Sequence, residues 1–328
     1  METRYTCEPE LLGEPGSNRY LPGSDHPPTT AERMNTYKRE SVSLGTEAAQ
    51  KALADAKIEP LEITHLITVS CTGQFLPGLD ALLVSELGLS ARVNRIPLTF
   101  QGCAAGLKAV QLARLLAEGH QGSNILIVSV ELCTLHLQPS HRREDLFGAS
   151  FFGDGASACI VGAAKERHKS VFQLHTGHAA LLPETLEDMT WDVDNYGFSL
   201  YLSPQIPKLL AEYLPSEIEH LYSSDSLPEL WAVHPGGRGI VDAVQELYGL
   251  RDEQVQYSRD VLRDYGNLSS STILFVLHAM KQDLSSRDAA QSSGIVLAFG
   301  PGLTAELISF TYLPSIQVEQ GELSHAAQ

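Results

Sequence analysis

Twice along this chain, short apolar runs of strand length alternate with stretches of helical periodicity, a rhythm that restricts it to layered α/β architectures. In the first half "EITHLITVS", "NILIVSVEL" and "ASACIVG" are rich in Ile, Leu and Val, as strands buried on both faces must be. Between them "ESVSLGTEAAQKALADAK" sets Leu44, Ala48, Ala52 and Leu53 on one helical face; helices are also predicted over 79–87 and 103–118, and a strand over 93–99. The second half repeats the order. "VFQLHTGH" and "GFSLYLS" read as strands, "IPKLLAEYLPSEIEHLY" as an amphipathic helix and "LWAVHP" as a strand. "GIVDAVQELYGL" and "SSSTILFVLHAMKQ" then read as helices, with "GIVLAFG" and "AELISFTYL" as closing strands. One half is expected over 1–165, a second over 166–313 and a polar tail over 314–328. "AAKERHKS" reads as a charged connector, and the Pro- and Gly-rich residues before about Glu32 as loop and short arm.

An acidic surplus, 40 Asp and Glu against 23 Lys and Arg for a formal charge of −17, disfavours nucleic acid and anionic lipid as partners. An anionic substrate must then be held by local basic groups. No apolar run reaches the roughly 18 to 20 residues of a membrane span. The opening "METRYTCEPE" has neither a basic start nor an apolar signal core, so a cytoplasmic chain is expected. The five cysteines, Cys7, Cys71, Cys103, Cys133 and Cys159, contain no C-x-x-C pair, which suggests neither a disulfide framework nor a zinc site.

Cys103 stands in "QGCAAGLKAV", where an apolar strand gives way to a helix. At a first helical turn, unpaired backbone N–H groups and the positive end of the dipole favour a thiolate and lower its pKa. Gly102 and the small residues after Cys103 let a substrate approach the backbone. Burial as a small apolar residue is the competing reading, and Cys133 and Cys159, inside expected strands, are assigned to it. His234, in "AVHPGG", ends an apolar strand, where α/β sheets present catalytic groups. Asn267, in "DYGNLSSS", precedes a helix and is either a cap or an amide donor. His175 and His178 are taken as core residues, because no third ligand is spaced to complete a metal site.

Together, "QGCAAGLKAV", "FFGDGASACIVG", "WAVHPGGRGIVD", "YGNLSSSTILFVL" and "AFGPGLTAELI" resemble, in order, the chalcone synthase-like type III polyketide synthases of the thiolase superfamily. The resemblance spans about Arg4 to Leu313. It implies a five-layered αβαβα fold of two duplicated halves, a homodimer, and no metal or organic cofactor. It also implies an acyltransferase in which Cys103 takes an acyl-CoA starter, held as a thiolate by His234, while His234 and Asn267 stabilise the enolate formed when malonyl-CoA loses CO₂. An acyl carrier protein is the alternative donor of the starter.

Within the family, "ELCTLHLQPS" and "MTWDVDNYGFSLYLSPQIP" look more like the bacterial alkylpyrone and alkylresorcinol synthases than the plant enzymes. By position, Phe152 matches an aromatic gate and Leu200 replaces a second gating Phe. Trp191 and His136 replace a smaller Gly and Thr, which alters the space for an aromatic starter; a core anchor is the competing role for Trp191. Gly148 and the turn Gly300, Pro301 and Gly302 are expected to shape the cavity. Cys71, Glu131 and Ser269 fall where the plant enzymes carry a hydrogen-bonded network affecting aldol against lactone ring closure, but Cys71 replaces a hydroxyl residue and a thiol is a weak donor, which tilts the expectation from aldol to lactone. About sixty residues that relatives carry upstream, including a core strand and basic CoA-binding residues, have no counterpart, so an unpaired sheet edge is expected. Arg4, Arg33, Lys38 and above all Arg238 remain as candidate phosphate partners, with solvated surface charge the favoured reading for all but Arg238. The alternatives are a one-step condensing enzyme, of the 3-oxoacyl synthase III or hydroxymethylglutaryl-CoA synthase type, and a non-catalytic acyl-binding subunit.

Overall fold

Helix α1 (Thr30–Ala56) starts well before the helix expected there, because Thr29 and Glu32 close a reciprocal capping box at its entrance. The computed structural model describes residues 2–12, 18–20, 23–120, 122–162, 171–222 and 227–315. The connector "AAKERHKS" and the tail beyond 315 lie outside them. After α1 come β1 (His65–Ser70), α2 (Leu79–Glu86), β2 (Asn94–Thr99), α3 (Ala105–Gly119), β3 (Asn124–Leu132), α4 (Arg143–Phe151) and β4 (Asp154–Gly162). The second half brings β5 (Val171–Leu181), β6 (Met189–Asp194), β7 (Gly197–Leu202), α5 (Ile206–Glu219), β8 (Leu230–Val233), α6 (Arg238–Tyr248), α7 (Asp252–Asp264), α8 (Thr272–Ser286), β9 (Ser292–Gly300) and β10 (Thr304–Leu313).

Among the described residues two four-stranded sheets result, ordered β2-β1-β3-β4 and β5-β10-β9-β8, and β6 and β7 form a separate hairpin. β1 runs parallel to β2 and β3, and β8 parallel to β9, while β4, β5 and β10 pair antiparallel. Three apolar cores hold five layers together. Tyr37 and Leu53 of α1 and Leu83 of α2 pack on Leu66, Leu126 and Val128 of the first sheet. The opposite face of that sheet, through Ile67 and Ile127, meets Leu107 of α3, Ile273 of α8, and Val296 and Ile308 of the second sheet. Beyond it, Leu210 of α5, Val244 of α6 and Val255 of α7 cover Trp231, Ile295 and Leu307. Each such buried side chain contributes about 1.5–3 kcal/mol, so the α3–α8 layer is bonded from both sides. The order is αβαβα, a thiolase-like fold.

Three elements were not expected from the sequence: α4, β6 and α7. The edge strand β4 is only partly buried, and the backbone N–H of Asp154 donates to Tyr5 O at 2.9 Å. The N-terminal segment thus meets this edge at its beginning. Among the described residues, no helix is long and apolar enough to cross a membrane.

Candidate active site

The seam between the halves positions the candidate site. Cys103 lies on a 3-10 turn, Gly102–Ala104, that feeds α3. Gly102 holds a φ of +59°, and a Cβ there would come within 2.2 Å of Pro301 Cδ, so only glycine lets the turn of one half seat against the other. Gly106 is equally constrained, since its Cβ would meet Ser270 O at 2.1 Å. His234 follows β8, and its backbone N–H donates to Leu297 O of β9 at 2.8 Å. Asn267 is held by two backbone bonds to the "FFGDG" segment: its N–H donates to Phe151 O at 2.7 Å, and Gly153 N–H donates to Asn267 O at 3.0 Å.

Cys103, His234 and Asn267 open on one cavity of about 1130 Å³. The two readings of Asn267 both hold. Its Oδ1 accepts from Ser269 N–H at 2.8 Å and from Thr272 Oγ1 at 3.2 Å, which caps the turn into α8. That fixes the amide so that Nδ2 points the other way, 3.2 Å from Gly236 O. His234 is 1% exposed, and neither ring nitrogen has a partner among the described residues. Buried polar atoms are normally satisfied, so a ring left unpaired against a cavity is set up for a ligand.

Electrostatics differ from the sequence expectation at Cys103. Burial pushes its thiol up to about 11, and the hydrogen bonds from Ser269, Asn267 and its own turn only partly offset this. Burial likewise pushes His234 down to about 3. For both groups burial opposes the charged form, so desolvation works against the expected thiolate–imidazolium pair.

Behind Cys103 runs a polar chain. Ser269, in the left-handed region at φ +49°, puts Oγ 3.6 Å from Cys103 Sγ and 3.0 Å from Cys71 Sγ. Cys71 Sγ is 3.4 Å from Glu131 Oε1, so the three expected network residues do meet. Sequence reasoning missed Thr72, which donates to Glu131 Oε2 at 2.7 Å, and Ser270, which donates to Oε1. Burial still raises the Glu131 pKa despite these donors.

Trp191, Phe152 and Leu200 line the large cavity and also a small one of about 60 Å³ beyond it. Trp191 is both anchor and wall: Nε1 donates to Cys71 O at 2.7 Å, and its ring sits edge-on to His136 and Phe198. Gly148 and His136 line only the small cavity. His136 donates from Nε2 to Thr72 O at 2.6 Å and accepts at Nδ1 from Phe198 N–H at 3.0 Å, and burial lowers its pKa to about 3. Cys133 lies just past β3 rather than inside a strand, and it borders both cavities. Glu131, Gly300 and Gly302 line neither. A Cβ at Gly300 would lie 2.9 Å from Ala104 Cβ, so Gly300 shapes the Cys103 turn through its backbone.

Of the basic candidates, Arg238 sits on the large cavity, with a side chain 86% exposed and 3.9 Å from Asp242. Arg33 is fully buried and donates to Pro28, Leu135 and Leu137 carbonyls, which removes it as a phosphate partner. Arg4 donates to Ala149 O, and Lys38 lies over the Phe75 ring. His175 and His178 also depart from expectation. His175 is exposed and bonded to Thr311 at 2.8 Å, while His178 meets Glu217 and His220, a third ligand type that sequence spacing did not reveal.

This fold, with a cysteine, a histidine and an asparagine converging at the seam of two halves, defines the condensing enzymes of the thiolase-like class. Residues 14–165 match the family model for the N-terminal domain of chalcone and stilbene synthases, and 173–314 the model for their C-terminal domain. The chain is 33% identical over 315 residues to type III polyketide synthase 21 of Oryza sativa subsp. japonica, across 93% of this chain and 80% of that relative. To type III polyketide synthase A of Arabidopsis thaliana it is 35% identical over 289 residues, across 85% of this chain and 73% of that relative. The chain belongs to the chalcone and stilbene synthase family: it is a type III polyketide synthase, an acyltransferase that works by decarboxylative condensation.

Proposed function

We propose that this enzyme loads a fatty acyl starter from CoA on Cys103, extends it several times with malonyl-CoA and closes the product as an alkylpyrone or alkylresorcinol, with the lactone favoured. The observation that carries this reading is the cavity itself. At about 1130 Å³ it exceeds the roughly 300–1,000 Å³ of ordinary small-molecule pockets, which suits a growing chain better than a single condensation. Its walls include Met189, Leu200, Leu202 and Ile206, apolar surface that suits an alkyl chain.

In loading, the Cys103 proton passes to His234 as Sγ attacks the thioester carbonyl, and the imidazolium returns that proton to the departing CoA thiolate. Malonyl-CoA then loses CO₂, and the electron pair of the broken C–C bond becomes an enolate. His234 N–H and Asn267 Nδ2 are the two donors for its oxygen. The enolate carbon attacks the acyl carbonyl, a C–C bond forms and Cys103 leaves as thiolate. Arg238, exposed on the cavity, pairs with a CoA phosphate. A homodimer in the cytoplasm is the expected assembly, with an acyl carrier protein as alternative starter donor.

Intact-protein mass spectrometry after mixing the chain with a panel of acyl-CoAs tests the assignment. A thioester adduct is expected on the natural protein, with long acyl chains preferred, and none on Cys103→Ala. Equal labelling of the two would end the nucleophile assignment, and preference for short aromatic acyl groups would end the fatty starter.

A further inference from the structure

On the far side of the second sheet from Cys103, α5 ends in the sequence Glu217-Ile218-Glu219-His220. Residues three apart lie on one helical face, so Glu217 and His220 project together, and they project at β5. There His178 Nε2 lies 2.6 Å from Glu217 Oε2, and the His178 and His220 rings stack with centroids 4.2 Å apart. One ligand atom from each of the three residues falls within 4.8 Å of the others. A tetrahedral ion with bonds of about 2.0–2.1 Å wants its ligand atoms about 3.3 Å apart. An ion there requires the 2.6 Å His178–Glu217 contact to open slightly and His220 to move inward.

The surroundings favour such an ion. Ser216 Oγ, which donates to Tyr213 O at 2.8 Å, also lies 3.3 Å from Glu217 Oε1, while Oε2 faces His178. His178 and Glu217 are mostly sheltered, at 23% and 16% exposure, while His220 is at the surface and leaves an entry path. The nearby carboxylate of Glu306 is ion-paired through Oε1 with Lys108. Two imidazoles and one carboxylate suit zinc-class transition metals and not the oxygen-loving calcium or magnesium.

We propose that His178, Glu217 and His220 form a binding site for a divalent transition-metal ion of the zinc class, with water in the remaining position. The ion ties the end of α5 to β5. Because α5 starts with Ile206 and Pro207, both on the large cavity wall, the ion fastens a helix that shapes the substrate space.

The test uses the full chain, stripped with a chelator and titrated with Co²⁺ by visible absorption and with Zn²⁺ by calorimetry, beside Glu217→Gln and His220→Ala. One equivalent is expected, with ligand-field bands and no sulfur-to-metal charge transfer. Each variant should bind more than about tenfold more weakly while loading acyl groups normally, which shows that it is folded. Zn²⁺ should raise the thermal midpoint of the natural chain and not of His220→Ala. Absence of saturable binding, equal affinity in all three proteins, or a charge-transfer band that reports thiolate ligands would each overturn the proposal.

Discussion

The indole N–H of Trp191 donates to the carbonyl oxygen of Cys71 at 2.7 Å, so a side chain from the β6–β7 hairpin is pinned to the strand end that carries the Glu131 network. The same residue lines both the large cavity and the small one. Trp191→Gly should merge the two and shift starter preference toward longer or bulkier acyl groups, read as relative adduct yields across an acyl-CoA series. An unchanged profile would reduce Trp191 to an anchor.

Asn267→Asp keeps the Oδ1 acceptor that caps the α8 turn and loses the amide donor. Malonyl-CoA decarboxylation should slow by about 10²–10³-fold, while starter loading on Cys103 persists. Parallel loss of both activities would show that the side chain serves the turn alone.

Cys71 sits between Ser269 Oγ at 3.0 Å and Glu131 Oε1 at 3.4 Å with a weakly donating thiol. Replacing it by serine installs a strong donor at the same point. Cys71→Ser should raise the resorcinol-to-pyrone ratio measured by liquid chromatography of the products. A constant ratio would detach this chain of groups from ring closure.

His136 is lowered from 6.5 to about 3 by burial, which makes part of the stability acid-sensitive. The unfolded chain takes up a proton near the ordinary value, and the folded one refuses it until much lower pH. The contribution is therefore fully present above about 6.5 and lost as pH falls toward 3. His136→Gln can keep one donor and one acceptor without titrating. Its thermal midpoint should fall less than that of the natural protein between about pH 7 and pH 4, and an identical fall would refute the assignment.

Much of this was legible because strands buried on both faces write themselves as unbroken Ile, Leu and Val, and because Cys103, His234 and Asn267 each follow or precede a recognisable turn. What escaped detection had thin signals. α7 reads "DEQVQYSRDVLRD" and spends mainly Val255, Ser258 and Val261 on burial, too few to stand out against its charges. Thr72 and Ser270 look like any hydroxyl residues in a polar stretch, and only the fold brings them to Glu131. The Glu217-x-x-His220 pair was hidden because its partner lies on a different element. The thiol of Cys103 was misjudged for a related reason: sequence shows the helix terminus that lowers its pKa, but not the burial that raises it.

The close fit of Gly102 against Pro301, and of Gly106 against the Ser270 carbonyl, has a consequence for how the enzyme comes into being. The groups that face the Cys103 sulfur from across the seam, His234, Asn267, Ser269 and Pro301, are delivered by chain synthesised long after it. A nascent or cleaved first half carries an ordinary cysteine with no ring to take its proton and no amide across from it. On the proposed assignment, reactivity is withheld until the second half has folded against the first, so an incompletely folded molecule is not expected to consume CoA thioesters.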